Sequence, residues 1–397
     1  MNKKIQGQNK WRSFLWDVFI CSLGAYGGPE AHYGIFMDQL VTKKKYLKEE
    51  EFVELMALTQ ILPGPSSTQT IVAIGHKIGG GLLGLLTMIV WALPVLIVMT
   101  AFSFMGDFLA ENNLSKEAFR YISPMALAFI FMAAYRLAKK VIKDRLTFIL
   151  FIASAIITVF FRLPWVFPLL LLIGGGLAIF QSNEKEIWNK VVLHPPWIYL
   201  IFFAFFALAA LVFAYITKNT WIDIFESFYR YGYLVIGGGQ VVVPLMNSEL
   251  VELNGYLSQD EFLRGFGLVQ GLPGPMFSFS AYAGGMATRG SGVFLQILGA
   301  ALAGIGIFLP GLLLIYFVFP IWEEVKKIRG IKISLLGITA VASGFVLASG
   351  IHMSSKITWN LYDVLVLIFS MILLYSKKVP APILVLLVLL IGYFLPF

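Results

Sequence analysis

Charge is scarce in this sequence, and cysteine is almost missing. Asp, Glu, Lys and Arg make up 13% of the 397 residues, about half the share of a soluble domain. That shortage excludes a water-soluble globular protein. The single cysteine, Cys21, rules out an intramolecular disulfide and is expected to pack as a small apolar side chain. Four histidines, His32, His76, His194 and His352, show no mutual metal-ligand spacing. Neither a zinc site nor any other cofactor is expected. Hydrophilic stretches are short as well; the longest candidate, residues 182–195, cannot fold as a separate domain. Any activity must reside in the apolar part of the chain.

That part is large. Hydrophobic residues make up 58% of the chain and the mean hydropathy is +0.81, values that belong to a polytopic helical protein of the lipid bilayer. The start, residues 1–12, is polar and basic, and no small-residue cleavage site follows, so no cleaved signal peptide is expected. In a soluble protein the net charge of +8 would suggest nucleic acid. Here it is expected to reflect basic cytoplasmic loops, with no nucleic-acid partner. At about 20 residues per crossing, continuous spans fall near 82–105, 121–138, 146–161, 166–181, 197–217, 293–319, 333–351, 361–375 and 379–397. Four other apolar stretches are interrupted: 14–42 at Gly27-Gly28-Pro29, 52–75 at Pro63-Gly64-Pro65, 225–247 at Gly237-Gly238-Gly239, and 262–287 at Pro273-Gly274-Pro275.

The interruptions are related. Leu-Pro-Gly-Pro occurs at 62–65 and again 210 residues later at 272–275, each copy following a glutamine, Gln60 or Gln270. Between 46–65 and 256–275, ten of the twenty positions are identical without a gap, and the same offset carries Gly28 onto Gly238 and Glu30 onto Gln240. This is a tandem duplication: a first repeat over 1–190, a linking transmembrane helix over 191–224 and a second repeat over 225–397. The loop 43–48 is strongly basic, whereas its partner 248–261 holds no lysine or arginine. Equivalent loops therefore lie on opposite sides of the membrane and the repeats are inverted. If each broken segment enters and leaves on one side as a re-entrant hairpin, about nine full crossings remain. Most of the 30 basic residues and the N-terminus then face the cytoplasm. Arg289, on the outer side, fits poorly. The expected fold is an all-α polytopic membrane protein of two inverted-topology repeats.

Proline removes a backbone donor and glycine eases bending, and in lipid the freed backbone groups find no water. Such a break can be a packing kink. Breaks at matching places in two repeats point instead to a transporter's substrate site. After the first Pro-Gly-Pro come Ser66, Ser67, Thr68, Gln69 and Thr70, which resemble a helix N-cap whose N–H groups and hydroxyls can bind an oxyanion. The second copy keeps Ser278 and Ser280 but has Met276 and Phe277 for the first two serines, so the half-sites are unequal. Glu30 directly follows the other break, with His32 two residues on. It is either a carboxylate at a helix start or, because Gln240 cannot ionise, the titratable member of a proton-coupling pair with His32 as relay. The acids Glu49–Glu51 and Asp260-Glu261 are expected to start helices. Residues 79–84 satisfy a nucleotide-binding glycine pattern without its strand-and-helix context, and Gly80 with Gly84 is expected to pack helices closely instead.

Tyr26-Gly27-Gly28-Pro29-Glu30-Ala31-His32, the 46–52 stretch and Gln60 through Gln69 resemble the chromate ion transporter family. So do Gly237-Gly238-Gly239-Gln240 with Pro244, Gly255-Tyr256-Leu257-Ser258 and Gln270 through Pro275. The likeness covers both repeats and nearly the whole chain, as in the family's long two-domain form. Tyr26 and Ile236 stand where the family usually has phenylalanine, a mild departure. The resemblance implies export of chromate from the cytoplasm across the inner membrane, driven by protons. The expected binding residues are Gly27, Gly28, Pro29, Gln60, Pro63, Gly64, Pro65, Ser66, Ser67, Thr68, Gln69, Gly238, Gly239, Gln240, Gln270, Pro273, Gly274, Pro275, Ser278 and Ser280, with Glu30 and His32 for the proton. A tetrahedral dianion suits helix N-termini and hydroxyls, and sulfate suits them equally well. An anion channel would need no coupling carboxylate, an enzyme would need a catalytic constellation that is not visible, and a scaffold would leave Glu30 and the serines without purpose. A homodimer is left open.

Overall fold

The computed structural model describes residues 2–105, 116–161, 163, 165–182, 193–236 and 239–394. Among these residues there are helices and no strands, as expected where each apolar segment must satisfy its own backbone. In order they are α1 (Asn2–Gly24), α2 (Pro29–Phe36), α3 (Glu49–Ile61), α4 (Ser66–Ser103), α5 (Ile122–Val141), α6 (Arg145–Phe160), α7 (Val166–Gln181), α8 (Trp197–Thr217), α9 (Thr220–Leu234), α10 (Val243–Asn247), α11 (Gln259–Gln270), α12 (Phe279–Ala287), α13 (Val293–Val318), α14 (Trp322–Val325), α15 (Arg329–Ser355), α16 (Leu361–Ser376) and α17 (Ala381–Phe394). The stretches Ser66–Ser103, Glu117–Val141, Trp197–Thr217, Val293–Val325 and Arg329–Ser355 are long and apolar enough to cross a bilayer. Helices α6, α7, α16 and α17 are apolar but shorter.

One helix differs from expectation. α4 is interrupted at Gly79 and Gly80, where Gly80 has φ +77°. Gly80 therefore marks a corner between two helices, where an added Cβ would meet nothing within 4 Å, whereas one at Gly84 would meet Tyr316. Gly290, at the same 210-residue offset, also has positive φ (+81°).

Each broken segment doubles back, and an ion pair joins its two legs at the open end. In the first, α1 runs to Gly24, the chain turns at Gly27-Gly28, and α2 continues as a π-helix over Met37–Lys43. Asp17 of α1 is 3% exposed; it meets Lys44 at 2.9 Å and accepts a hydrogen bond from the Tyr46 hydroxyl at 2.7 Å. In the second, Glu51 of α3 meets Lys77 of α4 at 2.8 Å. The later half repeats the plan. Arg230 of α9 binds Glu226 on its own helix and Glu249 at 2.6 Å on the π-helix Ser248–Leu253 that extends α10, and the Tyr231 hydroxyl donates to Glu249. Glu261 of α11 pairs with Arg289 beyond α12. Arg289, hard to place by charge alone, is the counterpart of this clasp. The acids at 49–51 and 260–261 do start helices: Glu51 and Glu261 each accept from the N–H three residues back, Lys48 and Ser258.

The halves exchange elements. The apolar cluster built on α1 to α3 and the first part of α4 is completed by Leu312, Ile315, Tyr316 and Trp322 from the later half. Conversely, Ala92, Val95 and Met99 of α4, with residues of α5 to α7, lie in the cluster that holds α9 to α13 and α15. α8 packs on α9 and α13, with the Tyr229 hydroxyl donating to the Phe203 carbonyl, yet Ala210 is its buried residue and a face of Phe, Leu and Ile side chains turns outward.

Candidate functional site

The breaks meet across the halves rather than within each half. The Gly64 N–H donates to the Val235 carbonyl at 2.7 Å, and the Gly274 N–H donates to the Ala25 carbonyl, also at 2.7 Å. Both donor and acceptor pairs are separated by 210 residues, so the exchange is reciprocal, as at a two-fold interface. Each Pro-Gly-Pro bend thus fills the backbone acceptor just ahead of the opposite half's glycine break, which is how backbone freed in an apolar interior is satisfied. Packing follows the same rule. A Cβ on Gly64 would lie 3.3 Å from the Gly311 Cα, and one on Gly274 3.0 Å from Val95. Gly311 and Val95 each directly follow a proline inside a helix, Pro310 in α13 and Pro94 in α4. Positive φ at Gly27, Gly28, Gly64 and Gly274 (+91°, +91°, +125° and +103°) makes these bends accessible to glycine.

Around the first bend the polar residues form a connected set. The N-cap of α4 is Pro65, with no side-chain cap bond, so Ser66 and Ser67 are the first helical residues rather than the cap expected from the sequence. Their hydroxyls are free for other partners because proline, lacking a side-chain acceptor, holds the cap position. Ser67 is 2.9 Å from His32 Nδ1, Thr68 accepts from Trp91 Nε1 at 3.1 Å, and Thr70 bonds Thr59 and the Ser66 carbonyl. Gln69 Nε2 donates to Pro63 O at 2.8 Å and to Gly311 O at 3.2 Å, tying the bend to α13. Ser67, Thr68, Gln69, Thr70 and His32 are all buried.

The second bend is barer. Gly239 lies against Met276 and Phe277, and Gln240 Nε2 contacts Met276 Sδ at 3.6 Å. Ser278 and Ser280, the counterparts of Thr68 and Thr70, are fully buried and their hydroxyls have no hydrogen-bond partner among the described residues. The same holds for Gln240 Oε1, Gln270 Nε2, Gln69 Oε1 and His32 Nε2. Leaving a buried polar atom unpaired costs about 1–3 kcal/mol. These atoms lie near the helix breaks and are the candidates for hydrogen bonds to a ligand. The unsatisfied serine hydroxyls belong to the second bend, which looked the more apolar in sequence.

Three expected residues lie differently. Glu30, expected at depth, is exposed on the first turn of α2, and His32 bonds Ser67 rather than Glu30. On a helix, positions two apart point to different sides, which separates the two. Gln60, unlike Gln270, is exposed. Gly237 and Gly238 lie outside the described residues. Trp91, Gly311, Val235 and Ala25 were not expected. A carbonyl carries no residue signature, so only the structure shows the last two; a tryptophan within an apolar span, needing an N–H acceptor, is a usable signal for the first. Helix-start N–H groups beside hydroxyls are chemistry that suits an anion. No group of three His, Cys, Asp or Glu side chains that could hold a metal occurs among the described residues.

Known proteins resemble this chain along most of its length. The family model described as chromate transporter matches residues 12–180 and 222–393. A protein of Synechococcus elongatus named probable chromate transport protein is 24% identical over 382 residues, covering 94% of this chain and 93% of its own. Chromate transport proteins of Pseudomonas aeruginosa and Cupriavidus metallidurans are 25% and 24% identical, over 83% and 91% of this chain and 78% and 87% of theirs. No solved structure matches. With multi-pass apolar helices, relatives that are transport proteins rather than enzymes, and a match through both halves, the chain belongs to the chromate transporter family.

Proposed function

We propose that the protein exports chromate or a chemically equivalent tetrahedral oxyanion from the cytoplasm in exchange for protons, by alternating access at the cross-paired breaks. The observation that carries this reading is the set of buried, unpartnered donors around those breaks, the hydroxyls of Ser278 and Ser280 and the amide nitrogen of Gln270, with His32 Nε2 as a donor in one tautomer, in a chain of this family. An oxyanion supplies acceptors for their donors and for the N–H groups of Ser66, Ser67 and Thr68. The reading includes two inverted repeats, clasped hairpins that re-enter the membrane, and nine crossings with a cytoplasmic N-terminus in the inner membrane. Glu30 would stand at the mouth of the first break as the proton-carrying carboxylate. Ionised, it repels a dianion; neutral, it does not.

Radiolabelled chromate and sulfate uptake into inverted vesicles with a controlled pH gradient tests this. Uphill uptake that collapses with the gradient is expected. Flux that no gradient can drive uphill would favour a channel. Sulfate competing as well as chromate would assign the site to tetrahedral dianions in general.

A further inference from the structure

At the first break one buried ring keeps a nitrogen open. His32 lies on the first turn of α2 and is 2% exposed. No carboxylate bonds either ring nitrogen among the described residues. A buried charge without a counter-ion is costly, which leaves the neutral ring. A neutral imidazole carries its proton on Nδ1 or on Nε2, and the partner of one nitrogen decides which. Nδ1 lies 2.9 Å from the Ser67 hydroxyl, which has no other partner among the described residues, and Nε2 has none. With the proton on Nδ1, two groups would be left unpaired, the Ser67 O–H and a bare Nε2. With the Ser67 hydroxyl donating to Nδ1, only the Nε2–H is left. The second arrangement wastes less and leaves a donor free.

Packing fixes the ring. Trp91 stands edge-on to His32, with ring centroids 5.2 Å apart and an interplanar angle of 79°, and edge-on to Phe36 at 5.0 Å. Its Nε1 meanwhile donates to Thr68. A Cβ on Gly274 of the second bend would meet Val95, one turn beyond Trp91 on α4. The clamped histidine and the second bend are therefore carried on neighbouring turns of one helix. The later half has no such unit. At the 210-residue offset His32, Ser67 and Trp91 become Val242, Phe277 and Ala301. Ser278, without the tryptophan donor that its counterpart Thr68 accepts from, keeps an unpartnered hydroxyl.

We propose that His32 is a substrate ligand rather than a proton relay. Its Nε2–H, set by Ser67 and clamped by Trp91, donates to one oxygen of the oxyanion, whose other oxygens take the hydroxyls of Ser278 and Ser280. The halves thus divide the task. The first supplies one rigid donor, and the second supplies hydroxyls that rotate to suit. A donor already held in place has little freedom to lose on binding. Trp91 is a positioning residue that acts through His32 and Thr68. Proton carriage stays with Glu30.

This role rests on the oxyanion reading above, and the experiment tells the two apart. Full-length protein with isotope-labelled histidine is titrated with sulfate in detergent, and ring-nitrogen NMR reports the tautomer of each of the four histidines. Single His76→Gln, His194→Gln and His352→Gln variants assign the signals. Expected is an Nε2–H ring at His32 whose Nε2 signal moves on titration while the other three rings stay. Sulfate affinity should fall about tenfold or more in His32→Asn, whose amide reaches the Nδ1 position but not that of Nε2. His32→Gln, which reaches the Nε2 position, should recover most of it. Trp91→Leu should give a mixture of tautomers at His32; an unchanged Nε2–H ring there would overturn the clamp. An Nδ1–H ring in sulfate-saturated protein, a signal that sulfate leaves unmoved, or full affinity in His32→Asn would overturn the proposal and leave oxyanion transport standing. Wild type that binds neither sulfate nor chromate would sink the oxyanion reading and this role with it. If His32→Asn fails to fold, the wild-type titration decides alone.

Discussion

Alanine at the two Pro-Gly-Pro glycines should have unequal effects, although the motifs are identical. At Gly64, φ is +125° and a new Cβ would sit 2.7 Å from Gln69 Nε2 and 3.3 Å from the Gly311 backbone. A strained backbone costs about 1–3 kcal/mol. Pushing the Gln69 amide aside forfeits its bonds to Pro63 O and Gly311 O, about 1 kcal/mol each. The total for Gly64→Ala is about 3–5 kcal/mol. At Gly274, φ is +103° and the new Cβ meets Val95 Cγ1 at 3.0 Å, a methyl that can yield. The backbone term then dominates, and Gly274→Ala should cost about 1–3 kcal/mol. Unfolding in detergent measures both, and oxyanion uptake should fall in the same order. Couplings sharpen the test. Gly64→Ala and Gln69→Ala should be non-additive by about 1–2 kcal/mol, because the first already disables the amide, and Val95→Ala should relieve Gly274→Ala in part. Equal costs at the two glycines, or strict additivity of Gly64→Ala with Gln69→Ala, would refute the cross-paired bend.

Arg230→Met should cost about 3–5 kcal/mol, because Glu226 and Glu249 are left facing each other in a buried place; adding Glu249→Leu should restore much of it, and a single-variant cost below about 1 kcal/mol would argue against the clasp. The Lys77 ammonium and the Lys48 N–H hold the Glu51 carboxyl below its usual range. A lowered value stabilises the folded state above the ordinary carboxylate range, near pH 4.3, and the gain disappears as pH falls through the folded value. The melting temperature of wild type should therefore exceed that of Lys77→Met slightly at pH 7, the pair being worth under about 1 kcal/mol. The two should converge below about pH 4; a difference that persists there would point to packing instead. Cysteines introduced at the exposed Lys45 and Asn254, with buried Cys21 replaced by alanine, should be labelled from the cytoplasm and from outside respectively. Labelling of both from one side would refute the inversion.

Much of the scaffold is legible without coordinates, because a bilayer forces each apolar run to satisfy its own backbone. The runs 166–181 and 197–217 are α7 and α8 to the residue, and the interruptions at 27–29, 63–65 and 273–275 fall where glycine and proline put them. The corner at Gly79-Gly80 carried a signal in its glycine run but satisfied a helix-packing pattern equally well. The partnership between Gly64 and Val235 left no trace, since every residue offers a carbonyl. The buried ion groups were within reach: Glu226 and Arg230, four apart ahead of an apolar stretch, meet the same criterion that singled out Glu30. What sequence cannot rank is exposure. Glu30 turns outward while Ser278 and Ser280, two hydroxyls among phenylalanines, are the ones left fully enclosed and unpaired.

The reciprocal bonds at the bends also bear on how the chain is made. Gly274 donates to Ala25, about 250 residues earlier in the chain. At roughly 5–20 residues per second of synthesis, the Ala25 carbonyl waits about 12–50 s for its donor. Throughout that interval the nascent first half holds an open backbone acceptor in a helix turn that lipid cannot solvate. It must be sheltered by water or by the insertion machinery until the second half arrives. The first half should acquire its finished geometry when the last-made bend docks into it, and a chain truncated before Gly274 should reach the membrane yet never close its first break.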